Sequence, residues 1–155
     1  NAGEKMYSYC FDGYWKDVGT IASLWEANMD LLGDNPEFDI GDKTWKIHSR
    51  NPLAPPEHIG KNGIVKNSMI ALGCEVYGTV ENSVLGSNVI VEEGAIVKDA
   101  VVFANTVIKA GAIVSYSVID ENVTVCENAK IGVNKDPDAE IETQQKGNVS
   151  PCIHH

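Results

Sequence analysis

Arginine occurs once in this sequence, as Arg50, and the 12 basic residues face 22 acidic ones for a net charge of −10. Binding nucleic acid by counterion release needs clustered lysine and arginine, and the basic residues here are scattered with no aromatics alternating between them. Nucleic acid is therefore not an expected partner. No apolar run approaches the roughly 18 residues of a membrane span, and no charged-then-apolar leader is present, so a cytoplasmic protein is expected with no membrane partner. Cys10, Cys74, Cys126 and Cys152 form no C-x-x-C pair, and free thiols are expected. No two cysteines or histidines have metal-finger spacing, and residues 64–132 contain no histidine at all. The length supports one domain, or one domain plus a piece of another.

What the sequence does have is a six-residue beat over residues 64–132. One column reads Val84, Ile90, Ile96, Val102, Ile108, Val114; its neighbour reads Val89, Ala95, Val101, Val107, Ile113, Ile119, Val125, Ile131. Amphipathic helices need apolar steps of three and four, and half-buried strands need alternation, so neither fits. A hexapeptide coil does, with three units closing a triangular turn of about 18 residues. The triplets Ser68-Met69-Ile70, Ser83-Val84-Leu85, Ala100-Val101-Val102 and Ser117-Val118-Ile119 follow one another at 15, 17 and 17 residues, near one full turn. Glycine, asparagine and aspartate fall between the apolar pairs, where corners need residues that tolerate positive φ. Ala95, Ala100 and Ala112 leave room where walls converge. The expected fold is mainly β: a parallel β-helix over residues 51–135, preceded by a short α/β remnant in residues 1–50 and followed by a polar tail in residues 136–155. Known hexapeptide prisms are left-handed, and that hand is expected here.

Ahead of the prism, Lys5 to Phe11 alternates aromatic and polar residues and suggests a strand; Tyr14 to Val18 suggests a second, and Lys43 to His48 a third. Thr20 is a good N-cap for a helix whose apolar residues Ile21, Leu24, Trp25, Leu31 and Leu32 end at Gly33. Such a stripe either folds back on the prism or belongs to a larger α/β domain. Trp15 and Trp25 are expected in the core, and Glu92 and Glu93 on a solvated face. Pro52, Pro55 and Pro56 make a stiff linker.

The string GYWKDVGTIASLWEANMDLL, residues 13–32, resembles the bacterial ADP-glucose pyrophosphorylase (glucose-1-phosphate adenylyltransferase) family. The resemblance continues through Lys43-Thr44-Trp45-Lys46-Ile47, the proline linker and residues 76–84 down to Ala129-Lys130-Ile131-Gly132. It implies a nucleotidyltransferase that joins ATP and glucose 1-phosphate into ADP-glucose with release of pyrophosphate, the activating step of bacterial glycogen synthesis. It implies Mg²⁺, with Asp17, in the W-x-D-x-G-T string, as the matching catalytic and metal-binding carboxylate. It implies too that Gly19 turns the backbone sharply and that Thr20 caps the following helix. The family's glycine-rich nucleotide loop, second magnesium carboxylate and sugar-phosphate lysine have no counterparts here. The expectation is a C-terminal fragment, inactive by itself, holding no cofactor alone and serving as a homo-oligomerisation and regulatory piece.

Other readings are a non-catalytic regulatory paralogue of the same family, another sugar-phosphate nucleotidyltransferase, a hexapeptide acyltransferase or γ-type carbonic anhydrase, and a pure assembly module. Paralogues of that kind tend to lose the magnesium aspartate, which this chain keeps as Asp17. The acyltransferase and anhydrase readings need a histidine projecting from the coils. None occurs there.

Overall fold

The computed structural model describes residues 3, 5–44, 46–49 and 52–132. Among the described residues, the chain from His58 onward winds through 14 short parallel strands that stack into three walls of a β-helix. The first wall holds β1 (His58–Ile59), β4 (Glu75–Val76), β7 (Ile90–Val91), β10 (Val107–Ile108) and β13 (Thr124–Val125). The second holds β2 (Ile64–Lys66), β5 (Thr79–Glu81), β8 (Ile96–Lys98), β11 (Ile113–Ser115) and β14 (Lys130–Ile131). The third holds β3 (Met69–Ile70), β6 (Val84–Leu85), β9 (Val101–Val102) and β12 (Val118–Ile119).

The coil is shorter than the expected 18 residues. Register partners lie 17 apart, as in His58 with Glu75, Ile90 with Val107 and Ile96 with Ile113; one coil steps only 15, from Glu75 to Ile90. The missing residue is lost where the second wall passes to the third, a corner turned in only two residues. These are Asn67-Ser68, Asn82-Ser83, Asp99-Ala100 and Tyr116-Ser117. The five-residue unit this creates makes a strict six-residue column drift from one side of the wall to the other. Ile96 points outward and is 40% exposed, whereas Val102, Ile108 and Val114 of the same column are 0% exposed.

Inside, like stacks on like. Val76, Val91, Ile108 and Val125 form one column, and Val80, Val97 and Val114 another; all belong to a single aliphatic core. Small residues line the corners: Gly78, Ala95, Ala112 and Ala129 at one, Ser83, Ala100 and Ser117 at another, as expected from their size. The left-handed backbone that a tight corner demands falls on Asn67, Asn82, Asp99 and Tyr116 at the two-residue corner and on Asn88, Asn105 and Asn122 at the next. Asparagine tolerates this conformation because its short amide bonds locally. Here it also bonds along the stack: Asn88 Nδ2 donates to Asn105 Oδ1 at 3.1 Å and Asn105 Nδ2 to Asn122 Oδ1 at 3.3 Å.

The 15-residue coil loses two residues where the first wall passes to the second, at Tyr77-Gly78. This leaves a cleft of ≈ 490 Å³ lined by Lys61, Asn62, Tyr77, Glu92, Glu93 and Ala110. Glu92, expected on a solvated face, keeps part of its side chain in water but is also bonded: it accepts from the Ala110 amide at 3.0 Å and pairs with Lys109 at 3.1 Å, clamping adjacent coils.

Ahead of the prism, the expected strands in residues 5–11, 14–18 and 43–48 do not form among the described residues; Trp45 lies outside them. An isolated extended segment has no neighbour to complete its backbone hydrogen bonds. Tyr7 and Tyr9 are 88% exposed, and Trp15, expected in a core, is 76% exposed. The helix α1 (Ile21–Met29) does form, ending earlier than expected with Asp30 as its C-cap. Cys10 and Cys74 are free, but Cys126 is disulfide-bonded, against the expectation of free thiols.

Candidate active-site segment and its seat on the prism

Thr20 starts α1 through a reciprocal cap: its Oγ1 accepts from the Ser23 amide at 3.1 Å while Ser23 Oγ accepts from the Thr20 amide at 3.0 Å. That satisfies donors the first helical turn leaves open. Three residues earlier stands Asp17, exposed and in no hydrogen bond or ion pair among the described residues. Gly19 does not adopt positive φ, and the chain bends at the next residue, Thr20.

The backbone beside Asp17 is tethered. Lys16 Nζ reaches Asp30 Oδ2 at 2.6 Å and Glu26 Oε2 at 3.5 Å, and the Tyr14 hydroxyl donates to the same Asp30 oxygen at 3.0 Å. Tyr14 also stacks on Phe38, with ring centroids 5.6 Å apart. The Asp30 hydrogen bond holds the Lys16 ammonium above its ordinary range, and the Lys16 hydrogen bond holds the Asp30 carboxyl below its own. Desolvation, followed by the Asp30 hydrogen bond, raises the Tyr14 phenol. Lys16 is thus committed to two carboxylates and is not a spare cation for a phosphate.

On its other side α1 is fastened to the prism. Trp25 Nε1 donates to the Asp99 carbonyl at 2.7 Å across 74 residues of sequence, and its ring lies 6.4 Å from that of Tyr116. The stripe therefore folds back on the coils, one of the two arrangements left open by the sequence. Asp99 is only 8% exposed; Asn82 Nδ2 donates to its Oδ1 at 2.6 Å, and its hydrogen bond to the Tyr116 phenol is the largest cause raising that group. Sequence reasoning identified Asp17, Thr20 and the helix but missed Lys16, Asp30, Asp99 and Tyr116. The one available signal for them was Tyr116 itself, an aromatic residue at a corner position otherwise filled by Asn or Asp.

Residues 55–150 match the family described as GlmU-like, C-terminal hexapeptide, which is more than half of the chain. The chain belongs to this hexapeptide family. Residues 1–34 match the nucleotidyl transferase family, so the capped helix and Asp17 lie in a stretch of a different family from the coils. The chain is 56% identical over 132 residues to the glucose-1-phosphate adenylyltransferase of Clostridium perfringens (strain SM101 / Type A), covering 85% of this chain and 34% of that protein. To the enzyme of the same name from Acetivibrio thermocellus it is 43% identical over 140 residues, 90% of this chain and 33% of the other. A third, from Clostridium botulinum (strain Eklund 17B / Type B), is 54% identical over 99 residues, 64% of this chain and 26% of the other. The chain spans about a third or less of the length of these relatives. The resemblance read from residues 13–32 and from the coils is borne out. Among the described residues no helix is long and apolar enough to cross a membrane.

Proposed function

We propose that this chain is the C-terminal part of a glucose-1-phosphate adenylyltransferase, in which Asp17 helps to hold Mg²⁺ and the prism serves assembly and regulation. The observation that carries this reading is the 56% identity over 132 residues to an enzyme of that name, running through both the nucleotidyl transferase match and the coils. In the reaction an oxygen of the glucose 1-phosphate phosphate bonds to the α-phosphorus of ATP, and the bond from that phosphorus to pyrophosphate breaks. Bound Mg²⁺ neutralises charge on the phosphate oxygens. Magnesium is usually held by one or two carboxylates together with substrate phosphates, and an exposed aspartate without a competing cation fits as one such ligand. Among the described residues no group of three potential ligands forms, so the remaining ligands come from substrate, water or elsewhere in the intact enzyme. What the chain itself contributes is placement: the Thr20 cap fixes where α1 starts, and the Lys16 and Tyr14 tether fixes the backbone on the other side of Asp17.

Ile59, which heads the inward column of Val76 at the first coil, is 42% exposed and Ile64 on the second wall of that coil 47%; this uncovered apolar end supports association of copies through the prism in a homo-oligomer. The test of the catalytic reading is Asp17→Asn in the full-length protein. Pyrophosphate release should fall by orders of magnitude with unchanged folding; near-normal turnover would defeat the assignment. The 155-residue chain alone should release none.

A further inference from the structure

We propose that Trp25 and Asp30 are positioning residues for Asp17, joined in series so that the prism sets where the Asp17 segment lies; this rests on the catalytic reading of Asp17. Helix α1 has two attachments on different partners. Trp25 bonds to the carbonyl of Asp99 on the prism, and Asp30 holds Lys16 and Tyr14, the residues next to and three before Asp17. Between them lie under two turns of a helix capped at both ends, a rigid element. Displacement at the Asp99 corner therefore moves the segment with little slack.

The corner is built differently where the helix lands. Positive φ at 67, 82 and 99 is carried by Asn67, Asn82 and Asp99, but at the stacked position below by Tyr116, with φ 46°. A bulky side chain in left-handed backbone is strained, and such strain persists only where surroundings hold it. The holding contacts are the Trp25 ring and the Asp99 side chain. Asp99 is in turn fixed by Asn82, so the seat is continuous with the ladder of the coil above. Val101, projecting outward two residues after Asp99, is 1% exposed, as expected of a wall covered at that point.

Two conservative variants separate the links. Trp25→Phe keeps an aromatic ring but removes the donor to Asp99; Asp30→Asn removes the charge that holds Lys16. In the 155-residue chain, backbone ¹⁵N relaxation should show Asp30→Asn lowering order parameters at Lys16 and Asp17 while α1 keeps its own, and Trp25→Phe lowering them in both. Amides of β8 and β11, unchanged in both variants, report that the prism is intact. In the full-length protein each variant should lower kcat about fivefold, the equivalent of one hydrogen bond, with KM for ATP nearly unchanged. The double variant should be little worse than the weaker single, because both cut one chain of contacts. Order parameters at Asp17 that ignore Trp25→Phe, or fully multiplicative losses in kcat, would overturn the proposal. Asp17→Asn run alongside keeps the two ideas apart: if it retains turnover, the catalytic reading fails, whereas an inactive Asp17→Asn beside unaffected Trp25→Phe and Asp30→Asn sinks only the coupling.

Discussion

Ile96 and Ile108 are the same residue type, 12 positions apart in one six-residue column, and the fold gives them opposite fates. Ile108 lies between Val91 and Val125 in a column at the centre of the prism and is 0% exposed, whereas Ile96 points out from the second wall and is 40% exposed. Truncating a fully buried isoleucine to alanine loses its transfer free energy and leaves a cavity in a stack whose neighbours are fixed by the coil, about 3–4 kcal/mol. The same change at Ile96 removes a side chain that water already reaches and opens no internal cavity, about 1 kcal/mol or less. At roughly 2–4 °C per kcal/mol for a protein of this size, Ile108→Ala should lower Tm by about 10 °C and Ile96→Ala by about 3 °C. Thermal unfolding followed by far-ultraviolet circular dichroism measures both. Equal shifts would mean that the column does not cross the wall, and the 17-residue coil would be wrong.

Three further outcomes follow from particular contacts. Gly78→Ala would drive a Cβ into the Ala95 carbonyl oxygen and to 2.7 Å from that of Glu92, both backbone atoms, and should cost about 2 kcal/mol in urea unfolding. A loss under 0.5 kcal/mol would show that the shortened corner relaxes freely. Tyr116→Asn restores the residue type of the stacked corners and relieves the φ strain, so the coils should hold or gain stability while Trp25 loses its ring contact; the indole N–H resonance should shift, and an unmoved resonance would refute the seat. The Lys16–Asp30 tether has a defined pH window. Asp30 is held below its ordinary 3.8, so its contribution is complete above that value and disappears as pH falls through the lowered one. Lys16 is held above its ordinary 10.5, so its share is complete below that and lost as pH rises further. Tyr14 and Lys16 side-chain chemical shifts should therefore stay flat across the neutral range and change only at the two extremes; a transition near neutrality would contradict the pairing.

Most of the prism is legible in the sequence because its causes are local. A strand of two or three residues, a corner that needs left-handed backbone and a small residue behind it recur on a fixed beat, and Asn88, Asn105 and Asn122 announce their corner by type alone. The coil length is less legible. Nothing local distinguishes a five-residue unit from a six-residue one when aliphatics occupy both faces, as at Val101-Val102, where both residues are buried. The shortened corner at Tyr77-Gly78 leaves its mark only as a 15-residue interval, which reads as noise until strands are paired. Outside the coils, alternation at Tyr7, Tyr9 and Phe11 suggests a strand, but strand formation requires a neighbour and alternation cannot supply one.

The candidate site divides along the same line. The Thr20 cap is written within four residues and is found from sequence. Asp17 carries no geometric signature in this chain, exposed and unpaired among the described residues, so only the W-x-D-x-G-T string and its resemblance single it out. Trp25 shows the opposite limit: as one apolar member of a helical stripe it reads as core, yet its indole N–H is the group that finds the prism. An indole N–H turned away from water needs an acceptor, and for the half-buried Trp25 that acceptor is a backbone carbonyl at a coil corner 74 residues away. No pattern within a helix can encode which distant carbonyl that will be. The informative departure sits on the acceptor's side, in Tyr116, where the corner keeps a strained aromatic instead of the asparagine or aspartate its stacked neighbours use. A broken repeat rule at one position thus marks the place where the solenoid meets something other than its own next coil.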